Sequence, residues 1–93
     1  MTKVILNINS ENNIMFDCLN HAGDPAVCRA VSALCGVLTI ETARLDSEPT
    51  IYTEGHVRID LFNASETTIT IFNEVFEVFK QLAEQNPENV RIY

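Results

Sequence analysis

The chain reads as an α+β domain in two layers, a largely antiparallel sheet and two helices, in the order ββαββα with an optional final strand. Three observations predict this. Runs within 2–20 and 50–62 are strand-like, apolar and polar residues alternating along 2–9 and 56–62. Two longer segments repeat their apolar residues at the helical period. Each of those segments opens on a capping residue, Asp24 and Ser65. With 93 residues, the whole of 1–93 is expected to form a single domain.

Residues 2–9 set Val4, Leu6 and Ile8 on one side of a half-buried strand, against polar Asn7 and Asn9. Ser10-Glu11-Asn12-Asn13 is a turn cluster, so the run 14–20 returns as the second arm of a hairpin. His21 falls just past that strand, on the side of Leu19, Asp17 and Met15 by parity. Asp24 followed by Pro25 starts a helix over about 25–45. Its expected core stripe is Val27, Val31, Leu34, Leu38 and Leu45, beside a row of Cys28, Ser32, Cys35 and Thr39. No charge occurs between Arg29 and Glu41, which implies cover on more than one side.

Ser47-Glu48-Pro49 ends the pattern. Thr50–Thr53 and His56–Phe62 follow as a second hairpin turning at Glu54-Gly55, with Val57, Ile59 and Leu61 on one face and His56, Arg58 and Asp60 on the other. Ser65 caps a second helix whose stripe is Ile69, Phe72, Val75, Phe76, Phe79, Leu82 and Ala83. Thr67, Thr68 and Thr70 are poor helix formers at its start. Ile71 and Val78 widen its apolar arc, as extra core or as a contact with another subunit. After Asn86-Pro87, the run Val90–Tyr93 suits an edge strand.

A formal charge of −7 argues against a nucleic-acid-binding surface and favours a basic peptide or protein, drawn in by long-range attraction that salt weakens. The apolar fraction of 46% supports a core, but so short a chain buries a limited share of its surface, and a homodimer would add burial. Cys18, Cys28 and Cys35 are odd in number, and Cys28 and Cys35 lie too far apart along one helix to bridge. No C-x-x-C unit or zinc spacing is present, so no metal or cofactor is expected. Without a basic-then-apolar leader or a run read as long enough to span a bilayer, the expected setting is a reducing cytoplasm, with no membrane.

The chemistry concentrates in Asn20 to Ser32. Cys28 lies near the positive end of the helix macrodipole, which favours a thiolate, and His21 is close enough in sequence to pair with it. From residue pattern alone, a buried packing cysteine and a strand-ending histidine explain the same positions. Cys18 and Cys35 read as packing residues, and His56 as a surface residue. Asp24 could orient His21 or simply cap the helix, with Asp17 a further candidate orienter. Ser32, one turn beyond Cys28, could donate a hydrogen bond near the site or satisfy a helix carbonyl. Free N–H groups at the helix start, including that of Cys28, could form an oxyanion hole.

Asn20-His21-Ala22, then Asp24, then Val27-Cys28-Arg29-Ala30-Val31-Ser32-Ala33-Leu34 resembles the motif of the bacterial ribosomal-processing cysteine proteases, the Prp family, which reads Gly-His-Ala, a loop with Asp, and Val-Cys-Ala-Ala-Val-Ser-Ala-Leu. The resemblance implies a small α+β homodimer that removes an N-terminal extension from a ribosomal protein, or a phage-related one, with Cys28 as nucleophile and His21 as base. Four departures stand out: Asn20 replaces the first Gly, Arg29 replaces an Ala, the His–Cys loop is shorter, and Pro25 stands where members tend to carry Asp. They keep open an alternative, a catalytically inactive dimeric Prp-like module that binds a protein. A redox-sensing thiol protein ranks last, because Cys35 is two turns from Cys28.

Overall fold

The computed structural model describes residues 1–93 as β1 (Thr2–Ile8), β2 (Ile14–Leu19), α1 (Pro25–Arg44), β3 (Ile51–Thr53), β4 (His56–Leu61), α2 (Glu66–Gln85) and β5 (Val90–Ile92). The optional strand is present. The five strands form one sheet in the order β3-β4-β2-β1-β5. β1–β2, β2–β4 and β3–β4 are antiparallel, while β5 runs parallel to β1. The sheet is therefore mixed, because α2 carries the chain back across it before β5 joins the edge.

Both expected caps form. Asp24 is extended, and its Oδ1 accepts the N–H groups of Ala26 and Val27 at 2.9 and 3.2 Å. Ser65 Oγ accepts the Thr68 N–H at 3.2 Å. Alternation along the strands buries Val4, Ile14, Phe16, Cys18, Ile59, Leu61 and Val90 under the helices. Phe16 sits at the centre of this layer, its ring centroid 6.4 Å from Phe72 and 5.8 Å from Phe79 on α2. Burial of each such ring contributes roughly 1.5–3 kcal/mol. The alternate positions, including Lys3, Asp17, Arg58 and Asp60, lie on a sheet face that no helix covers.

The α1 stripe differs from its expected form. Its buried residues are Val27, Val31, Cys35, Leu38, Glu41 and Thr42, whereas Leu34 is half-buried and Leu45 lies beyond the last turn, exposed. Two polar residues take the inward positions because each has partners there. Thr42 Oγ1 donates to the Leu38 carbonyl at 2.8 Å. Glu41, its side chain 5% exposed, receives two bonds of 2.8 Å from Arg44 and one of 2.9 Å from Thr68 Oγ1 on α2. The Arg44 guanidinium and the Thr68 hydroxyl hold the Glu41 carboxyl below the usual carboxylate range against the opposing effect of burial.

Cover over the rest of α1 is incomplete. Val37 and Ile40 are exposed, Ile40 at 71%, and Val78 on α2 is exposed while Ile71 packs against the core. By length and composition α1 is apolar enough to cross a membrane, contrary to the sequence reading; here it serves as the core helix of a two-layer domain.

Candidate active site

β2 ends at Leu19, and the chain turns through Asn20 with a φ of 74°. Asparagine tolerates this left-handed conformation better than most residues, which accounts for its standing where the motif has glycine. The turn is pinned on two sides: Asn20 donates its N–H to the Gly55 carbonyl at 2.7 Å, and Thr2 Oγ1 donates to the Asn20 carbonyl at 2.9 Å. Ala22 is buried, and Asn89 Nδ2 donates to its carbonyl at 2.9 Å. Gly23, with a φ of 88°, then leads into the Asp24 cap.

This path aims the Ala22 N–H at Cys28 Sγ, 3.3 Å away. Cys28 is half-buried, on the first turn of α1. A donor directed at sulfur stabilises negative charge on it. The backbone N–H of Cys28 itself donates to the Asp24 carbonyl at 2.9 Å, and those of Ala26 and Val27 are taken by the Asp24 side chain. The expected oxyanion hole at the helix start is thus not available from these groups, because the cap uses them.

Cys28, Ser32 and His21 line one open cavity of about 420 Å³ between the start of α1 and the β3–β4 hairpin. His21 is 63% exposed on its side chain, and no hydrogen bond joins its ring to Cys28 Sγ. Asp24 is turned to the helix start and does not line the cavity, so capping is the role its contacts describe. Asp17 is engaged elsewhere: its Oδ1 lies 2.6 Å from His56 Nε2 across β2 and β4. His56 is accordingly half-buried and paired, where the sequence reading left it as surface.

Two further features were not read from the sequence. Glu54, at the tip of the second hairpin, faces His21, Oε1 to Nε2 at 3.8 Å. Cys18 and Cys35 are buried, as expected of packing residues, but they also meet at the cavity floor. Their mutual hydrogen bond and burial push the Cys18 thiol well above the ordinary range. Spacing along α1 hides this contact, because Cys35 pairs across to β2 and not along its own helix. No group of three or more potential metal ligands occurs.

No protein-family model and no curated protein matches the chain. Solved structures do, among them the two that follow. One is the essential ribosomal processing protease Prp from S. aureus, in complex with a covalently linked product peptide, at a TM-score of 0.80 and 23% identity over 99% of this chain and 97% of that one. The chain has the Prp fold. The other structure, SMU.848 from Streptococcus mutans, superposes at a TM-score of 0.76 with 24% identity, covering 99% of this chain and 91% of its own. Identity at this level speaks for the Prp-like architecture; chemistry has to be argued from the side chains.

Proposed function

We propose that this protein is a Prp-like cysteine endopeptidase that removes an N-terminal extension from a ribosomal or phage-related protein. The observation that carries the reading is the opening of Cys28 and His21 onto one cavity in a fold shared with a peptide-processing protease. The Cys28 thiolate attacks the scissile carbonyl carbon, and the C–N bond breaks as the leaving amine takes a proton from His21. Water, losing a proton to His21, then cleaves the thioester and frees the sulfur. Ser32 lies beside the path as a hydrogen-bond donor to the peptide, and the charge of −7 favours a basic, flexible extension.

A homodimer in the cytoplasm belongs to the same proposal. The exposed Val37 and Ile40 on α1 and Val78 on α2 offer apolar surface for a second copy. Sedimentation across a micromolar concentration series is expected to show the dimer, and a monomer throughout removes it.

The activity is tested by incubating the protein with extended ribosomal proteins and resolving products by mass spectrometry, beside Cys28→Ala. Cleavage that depends on Cys28 supports the reading. Binding without cleavage of any candidate replaces it with the catalytically inactive module.

A further inference from the structure

We infer that Glu54, on the turn between β3 and β4, is a positioning residue for His21; the inference rests on the Cys28–His21 reading and adds a carboxylate to it. The turn is fastened to the histidine from two directions. Asn20, the residue before His21, donates its N–H to the Gly55 carbonyl at 2.7 Å, so the backbone of the turn and that of the His21 segment move together. Gly55, with a φ of 80°, lies so close to the imidazole that a Cβ there would stand 3.4 Å from Nε2. Glu54 Oε1 then faces that same nitrogen at 3.8 Å. Nε2 is thus the ring nitrogen turned to the hairpin. A carboxylate beside one ring nitrogen fixes the orientation of an imidazole.

The surroundings make Glu54 the group to act. It is the only carboxylate on the cavity wall, and no lysine or arginine lines the cavity. His56 is held by Asp17, and Asp24 by the helix start. The pair is solvated, Glu54 being 91% exposed, so its effect is that of a screened surface pair. Such an interaction is matched to tuning a proton-transfer group and adds little to folding.

The chain has only two histidines, so ring resonances followed by NMR against pH resolve both, with His56→Gln giving the assignment. Glu54→Gln is expected to move the His21 ring resonances while leaving those of His56 in place. Cys28 alkylation by iodoacetamide near neutral pH should slow by about two- to threefold, the size expected when a screened surface pair is lost. Glu54→Asp should restore part of both, and added salt should shrink the wild-type difference. In cleavage assays the loss should fall on kcat and leave KM nearly unchanged. Unchanged His21 ring resonances together with an unchanged alkylation profile in Glu54→Gln overturn the inference, whatever the cleavage assay shows. Moved His21 resonances in a protein that cleaves nothing keep the Glu54–His21 pair and remove the protease reading instead.

Discussion

The two histidines of this chain each face a carboxylate, and they do so under opposite conditions. His56 and Asp17 sit at 2.6 Å, their side chains 27% and 21% exposed, on adjoining strands whose register holds them together. His21 and Glu54 sit at 3.8 Å, both largely in solvent, beside a cavity that also holds the Cys28 thiol. A base that must take and return protons needs access and a loose partner; a histidine that ties two strands needs neither. Proximity to acid therefore does not single out the working histidine. Nor does the cavity, which His56 also lines; what separates the two is that His21 is open to solvent and loosely partnered while His56 is not.

The largest expected effect is the separation of the two histidines by activity. Cys28→Ala and His21→Ala should each abolish cleavage with the fold retained, while His56→Ala should keep it. Cleavage that survives His21→Ala but not His56→Ala inverts the comparison. Thiol reactivity comes next. Cys28, half-buried at a cavity wall, should alkylate at least about tenfold faster than Cys18 or Cys35, because modifying those two requires local opening that costs about 1.4 kcal/mol or more. Labelling resolved by peptide mass reads all three, and Cys35 reacting first would remove Cys28 as the activated thiol.

Stability supplies the smaller effects. Glu41 is the buried counterpart of Glu54, with every contact satisfied, and Glu41→Ala should cost about 2 kcal/mol by denaturant titration. Its folded-state pKa is lowered, so the stability it adds is complete above the unfolded carboxylate range, near about pH 4.3, and is lost as pH falls through the folded value. Glu41→Gln should flatten that acid limb of the melting curve. His56→Ala should cost about 1 kcal/mol through its bond to Asp17, and His21→Ala no more than about 0.5 kcal/mol, as for an exposed side chain. A larger loss at His21 than at His56 would make His21 a structural residue.

The element order was legible because its signals are local. Asp24-Pro25 and Ser65 mark where the helices begin, and period-two alternation through Val57, Ile59 and Leu61 places β4. That Cys28 and His21 lie close together was legible for the same reason, since both belong to one short segment. Glu54, Asp17–His56 and Cys18–Cys35 were not, since each contact depends on the sheet order that sets β4 beside β2 or on α1 lying across β2. Glu41 escaped notice because a charged residue on the inward stripe is read outward until Thr68, 27 residues later, is known to meet it.

The hydrogen bond from Asn89 to the Ala22 carbonyl links the last turn of the chain to the residue whose N–H points at Cys28 Sγ. Thr2 closes the same circuit, donating its N–H to the Asn89 carbonyl and its hydroxyl to the Asn20 carbonyl. The loop that carries the histidine is thus complete only with residue 89 docked against it. The terminal strands and the segment facing the sulfur therefore share one hydrogen-bonded frame, and loosening either end of it would loosen the contact at Cys28 Sγ.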